Sequence, residues 1–275
     1  MNSLKYYSTI LNKMSKTIYY YQTFVGLHDI MNHVQDVDVI IVSSIHFGKD
    51  KSGVKGIYLN DNFPDNCLFE QLWYETEKLS AQGCTIMLMM GGAGGAYTEL
   101  FSDFDVYYPM LKKLITTKSW IKGVDLDMEE SVTIVSARKL IQCLVRDFGD
   151  DFIITMAPVS PSLQEDGSSM AGFNYKELYT SPEGKHIHWF NTQCYYSFSL
   201  ETLESIVNNG YPPHKIVMGM ESGQFTKDTF QEALKAIKDM KSIYHDLRGV
   251  YDWEYLNAPP DAKDPSQWAK LIKEC

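Results

Sequence analysis

Three carboxylates alternate along Ile121-Lys122-Gly123-Val124-Asp125-Leu126-Asp127-Met128-Glu129-Glu130. The apolar residues Trp120, Ile121, Val124 and Leu126 mark this stretch as a strand. A strand turns successive side chains to opposite faces, so Asp125, Asp127 and Glu129 share one face. Crowded acids do not stabilise a fold, because like charges repel and burial opposes ionisation. Crowding does raise the pKa of at least one member, which suits a general acid working near neutrality. A plainer reading makes the row a solvated strand end that leads into a helix capped at Ser131. The rest of the chain decides between the two.

Eight strand candidates must position this row. They are Ile18–Phe24, Asp38–Phe47, Cys84–Met90, the acidic stretch 121–129, Phe152–Met156, His188–Tyr195, Lys215–Met220 and Arg248–Trp253. Helical spacing falls between most of them: Leu68–Ala81, Val106–Thr117, Val132–Phe148, Leu200–Asn208, Thr226–Ile243 and Pro265–Lys273. In the first helix, Leu72 and Leu79 fall on one side, with Glu75 and Glu77 expected in solvent. Alternating strands and helices over 275 residues fit one (β/α)8 barrel, a fold of about 250 residues. A doubly wound sheet fits the alternation nearly as well. The polar residues favour the barrel. Asp125/Asp127/Glu129, Gln193/Tyr195 and Trp253/Glu254 all sit at C-terminal strand ends, which a barrel gathers on one face.

Composition narrows the partners. The net charge of −10 argues against nucleic acid and anionic membranes, leaving a neutral or cationic polymer. The 18 tyrosines suit stacking on sugar rings, although tyrosines also pack with one wet edge. The five cysteines, Cys67, Cys84, Cys143, Cys194 and Cys275, are widely spaced and form no CxxC pair, which predicts free thiols. Residues 1–16 read as a tail ahead of a barrel over 17–275. With no convincing signal peptide, a cytoplasmic setting is favoured. His186 and His188 form a His-x-His pair without a second cluster, so no metal site is expected. The Gly91–Gly95 turn lacks the Lys-Ser/Thr of a phosphate cradle.

With these residues in place, the sequence resembles glycoside hydrolase family 18, the chitinases and endo-β-N-acetylglucosaminidases. The acidic signature Asp-Gly-x-Asp-x-Asp-x-Glu reads here as Lys122-Gly123-Val124-Asp125-Leu126-Asp127-Met128-Glu129. Ile86–Gly92 matches the apolar run into Ser-x-Gly-Gly, with Met89 in the serine position. Thr155–Pro161, Gln193-Cys194-Tyr195-Tyr196 and Gly249–Trp253 resemble segments of the compact, hevamine-like chitinases, Tyr196 standing where they carry asparagine. The resemblance spans roughly residues 18 to 273, its elements in family order.

The resemblance implies a role for each position. Glu129 would be the acid, and the substrate's 2-acetamido group the nucleophile, which sets this family apart from two-carboxylate glycosidases. Asp127 would orient that group, sharing a proton with Asp125, and Tyr195 would hold it. Trp253 would floor the sugar, with Gln193, Met156, Gly91, Gly92 and Tyr196 as further substrate contacts. No cofactor is implied, and the protein is expected to act as a monomer on glycans containing N-acetylglucosamine. Lys122, at odd spacing, should turn away from the acids. Only about 30 residues join the last two strands, too few for the α+β insertion of processive members, so an open cleft and endo cleavage are expected. A catalytically silent lectin-like barrel would share the fold but often lacks the acid glutamate, which is present here. A dinucleotide-binding protein would need a Gly-x-Gly-x-x-Gly turn after its first strand, and none follows.

Overall fold

The computed structural model describes residues 15–167 and 169–275. Positions 1–14 of the expected tail lie outside them, and the first strand already opens at Lys16. The strands are β1 (Lys16–Tyr21), β2 (Val39–Lys49), β3 (Lys55–Leu59), β4 (Thr85–Gly91), β5 (Ile121–Asp127), β6 (Ile153–Met156), β7 (Ile187–Gln193), β8 (Ile216–Glu221) and β9 (Gly249–Trp253). Eight of them pair in parallel in the order β1-β9-β8-β7-β6-β5-β4-β2, and the β1–β2 pairing closes the ring. The structure is a single (β/α)8 barrel.

The longer helices are α1 (Glu70–Ala81), α2 (Tyr97–Ser102), α3 (Phe104–Thr117), α4 (Ile134–Phe148), α5 (Leu200–Asn208), α6 (Phe230–Ile243) and α7 (Ser266–Lys273). Alternation along each strand divides the core in two. One set, including Ile18, Tyr20, Ile41, Met87, Met89, Trp189, Val217 and Tyr251, fills the barrel interior. The other set, with Ile40, Leu88, Leu126, Ile154 and Met218, lies under the helices. Parallel strands covered on both faces need apolar residues on both, which the Val39–Val42 run supplies. Between β8 and β9 there is room for α6 and its turns alone, and the α+β insertion is absent.

Local details depart from the sequence reading. The strand β3 pairs antiparallel with the end of β2, extending it as a hairpin beyond the ring. Helix α4 is capped by Thr133, whose hydroxyl accepts from Ser136 N–H, instead of by Ser131. Glu75 is buried, not solvated: its carboxylate accepts from the backbone N–H of Leu27 at 2.9 Å and from Gln71 Nε2 at 3.0 Å. It ties α1 to the loop after β1. Glu77 is exposed as expected. Lys122 also points outward, its Nζ donating to the Ser119 carbonyl at 2.8 Å.

Candidate active site

The C-terminal ends of the barrel strands open into a cleft of about 930 Å³. Its lining includes Asp127, Glu129, Gln193, Tyr195, Trp253, Gly91 and Gly92, seven of the residues predicted from sequence. Asp125 lies directly below, completely buried in the barrel.

Asp125 is held by three donors. Tyr20 Oη donates to its Oδ2 at 2.7 Å, and Thr155 Oγ1 and Asn191 Nδ2 donate to Oδ1 at 2.5 and 3.0 Å. The Asn191 amide is oriented by Trp189 Nε1, which donates to its Oδ1 at 2.8 Å. Burial raises the carboxyl of Asp125 above the ordinary range, and these hydrogen bonds offset only part of the rise. Met89, across from Asp125 in the β4–β5 register, contributes an apolar side chain where the family pattern has a hydroxyl. The hydrogen bonds to Asp125 come instead from β1, β6 and β7.

Asp127 stands two residues nearer the cleft and is nearly buried. Burial, then the neighbouring charges of Glu129 and Asp125 and a hydrogen bond with Glu129, push its carboxyl well above the usual range. Gln193 Nε2 sits between the two outer acids, 3.2 Å from Asp127 Oδ1 and 3.1 Å from Glu129 Oε1, and is anchored by the Ala157 carbonyl at 2.9 Å. Asp127 is thus coupled to Glu129 through the shared Gln193 amide and through charge, and to Asp125 through charge.

Two glycines make room at the site, one beside Asp127 and one beneath the Tyr251 ring. Gly91 has φ of 93°, and a Cβ there would lie 2.2 Å from the Asp127 carbonyl oxygen. A Cβ on Gly219 would strike the Tyr251 ring at 2.0 Å; Tyr251 Oη in turn donates to Tyr195 Oη at 3.3 Å. Replacing Gly91 with alanine is expected to cost at least about 1–2 kcal/mol from backbone strain alone. Thermal unfolding should report that loss, and unchanged stability would show that the Gly91–Asp127 contact relaxes freely.

Trp253 closes the cleft beside the acids, its ring tilted on Tyr20 with centroids 5.3 Å apart. Met156 does not reach the cleft. Alternation on β6 sends Thr155 inward to Asp125 and Met156 outward, fully buried among the helices. Tyr196 also stands apart from the lining: at φ of 57° its side chain is 80% exposed on the surface beside the cleft.

Several cleft residues gave no sequence signal. The loop after β1 supplies Gln22 and Thr23, and the β2–β3 hairpin supplies His46, Tyr58, Asn60 and Asp61. Asn60 braces these elements, accepting from Ser44 N–H and donating to the Gln22 carbonyl, both at 3.1 Å. Glu130, adjacent to Glu129, accepts from the N–H groups of Ala96, Tyr97 and Thr98 and from the Thr98 hydroxyl. Burial raises its carboxyl, but these donors outweigh burial and hold it below the ordinary range. Glu130 thus pins the Gly91–Gly95 turn beside the acids. No lysine or arginine lines the cleft among the described residues.

No protein-family model matches this sequence, and no curated protein matches it significantly. Solved structures do. A fungal endo-β-N-acetylglucosaminidase from glycosyl hydrolase family 18 is 29% identical, with 94% of this chain and 97% of that one covered and a TM-score of 0.82. The chitinase ChiC from Aspergillus fumigatus is 30% identical, with 94% and 99% covered and a TM-score of 0.80. A GH18 chitinase from Pseudoalteromonas aurantia shares the fold at 20% identity and a TM-score of 0.71. A near-complete overlay at 30% identity, on a barrel whose acidic strand ends in the same cleft, places this chain in glycoside hydrolase family 18.

Proposed function

We propose that this glycoside hydrolase is endo-acting and cleaves β-1,4-linked N-acetylglucosamine in chitin and its oligomers, by a retaining mechanism in which the substrate supplies the nucleophile. The observation that carries this reading is the ladder Asp125–Asp127–Glu129, rising from the barrel core into a cleft that also holds Tyr195 and Trp253. Glu129 protonates the glycosidic oxygen as its bond to the anomeric carbon breaks, and the acetamido oxygen forms the new bond to that carbon. Asp127, having passed its proton to Glu129, accepts as a carboxylate from the acetamido N–H and offsets the positive charge of the resulting oxazolinium. Water then attacks the anomeric carbon from the face the leaving group vacated, breaking its bond to the acetamido oxygen, and gives a proton to Glu129. Tyr195 holds the acetamido group, Trp253 floors the sugar, and Gln193 keeps the two outer acids in register.

A lining without lysine or arginine among the described residues suits a neutral chain better than an anionic one. The single-helix connection between β8 and β9 leaves that side of the cleft unwalled, which favours internal cleavage. The likeness to a fungal endo-β-N-acetylglucosaminidase keeps the chitobiose core of N-glycans as a second reading. A fluorogenic chitotrioside and a high-mannose glycoprotein, offered in parallel, test both. Release from the chitotrioside is expected, glycan release alone would move the substrate to glycoproteins, and neither would leave a silent binding barrel.

Substrate assistance makes a second, sharper expectation. Chitosan oligomers should resist cleavage at their unacetylated units, because the missing acetamido group is the nucleophile, and a thiazoline analogue of the oxazolinium should inhibit competitively. Mass spectrometry of the products would show which units are cut. Efficient hydrolysis of fully deacetylated chitosan would contradict the mechanism.

A further inference from the structure

Asp252 lies one residue before Trp253, but on the opposite face of β9. Its side chain is completely buried in the layer outside the barrel. Its Oδ2 is 2.6 Å from Ser222 Oγ, and the same Oγ is 2.7 Å from the carbonyl oxygen of Glu254. A serine hydroxyl carries one proton, and a carbonyl can only accept. If Ser222 donated to Asp252, its oxygen and that of Glu254 would face each other with no proton between them. Both contacts are satisfied only when Asp252 donates to Ser222 and Ser222 donates to Glu254. Among the described residues Asp252 Oδ1 has no partner, a modest cost for the carbonyl oxygen of a neutral acid and a severe one for a buried carboxylate.

Among the described residues, the titratable groups coupled to Asp252 by charge are Glu221 at the end of β8, Glu254 after β9, Tyr19 on β1 and Tyr195 after β7. All are acids or phenols. Burial, followed by the charges of Glu254 and Glu221, raises the Asp252 carboxyl well above its ordinary range despite the bond to Ser222.

What this chain of bonds holds is the end of β9. Ser222 N–H donates to the Trp253 carbonyl at 2.5 Å, and its hydroxyl takes that of Glu254, so one residue grips the backbone on both sides of the Trp253–Glu254 junction. The Glu254 carboxylate in turn accepts from Gln22 N–H at 3.2 Å and from the Thr23 hydroxyl. Trp253, Gln22 and Thr23 all line the cleft. We propose that Asp252 is a positioning residue that works as a protonated carboxylic acid: through Ser222 it sets the Trp253 ring and the adjoining β1 wall of the substrate cleft. Its effect on sugar binding rests on the function proposed above; its protonation does not.

Two measurements separate these claims. Infrared difference spectra between wild type and Asp252→Asn at neutral pH should show the carbonyl band of a protonated carboxylic acid in the wild type. A carboxylate band in its place would overturn the proposal, whatever the protein's activity. Steady-state kinetics on a chitooligosaccharide form the second measurement. Asn can still donate to Ser222, so Asp252→Asn should stay within about twofold of wild type, whereas Asp252→Leu and Ser222→Ala should raise KM by roughly tenfold with a smaller change in kcat. If Asp252→Leu folds poorly, Ser222→Ala carries the test alone. Loss in Asn equal to that in Leu, or unchanged KM in Ser222→Ala, would overturn the positioning role. Should the wild type cleave nothing, the infrared result still decides the protonation state.

Discussion

Replacing Glu129 with glutamine is expected to lower turnover of a chitooligosaccharide by at least ~10²-fold while leaving binding close to wild type. The amide keeps the shape of the side chain and can still meet Gln193, which contacts Glu129 Oε1 at 3.1 Å. It has no proton to give to the leaving oxygen at neutral pH. Among the three acids, Glu129 is the partly exposed one, so it is the group that meets a glycosidic oxygen in the cleft. Single-turnover rates and calorimetric titration of an oligosaccharide would separate the two effects. A variant that cleaves at the wild-type rate would place the acid elsewhere.

Asp127→Asn is expected to cost about 3–4 kcal/mol at the transition state, or ~10²–10³ in rate, because one preorganised electrostatic contact is lost. In the proposed mechanism Asp127 meets the acetamido group only as that group swings over the anomeric carbon. Its contribution is then greater in the transition state than in the ground state, the condition for raising turnover instead of affinity. A lectin would lose affinity alone. The same variant has a stability signature. A carboxyl whose folded pKa lies above its unfolded value stabilises the fold below the unfolded pKa of about 3.9, and that contribution is lost as pH rises through the folded pKa. Asp127 is raised in this sense by burial and by Glu129 and Asp125. Asp127→Asn should therefore match wild type in thermal stability near about pH 4 and exceed it increasingly as pH rises above that value. A stability difference that does not change with pH would place the resting proton somewhere other than on Asp127.

Much of the barrel was legible because each of its eight strands is an apolar run with its own boundaries, and the acidic row obeys simple alternation. The same rule turned Lys122 outward. Met156 was misplaced because it was read from a family segment instead of from alternation, which puts Thr155 on the inner face. The partners of Asp125 were invisible for a different reason. Tyr20 and Asn191 lie 105 and 66 residues away in sequence, and only ring closure brings them to one carboxylate. Tyrosine and asparagine inside strands look like ordinary core and edge residues until register is known. The β3 hairpin escaped because Lys55–Leu59 is short and mixed, and its pairing depends on the overhang of β2. Glu130 stands off the alternating row and carried no signal of its own. Its function, holding the N-terminal turn of α2 and the glycine loop against the site, depends on donors more than thirty positions away. Tyr196 was placed in the cleft because it stands where the family segment carries asparagine, but the turn after β7 takes it out to the surface.

The central claim is that the sugar's own acetamido group attacks the anomeric carbon with Glu129 as the acid. Early-time proton NMR of chitooligosaccharide hydrolysis tests it most directly, since the first product's anomeric configuration is read before mutarotation. The mechanism predicts that the β-anomer appears first and relaxes to the equilibrium mixture, and that Glu129→Gln forms neither anomer at a comparable rate. Initial appearance of the α-anomer would mean direct attack by water from the opposite face and would contradict the account.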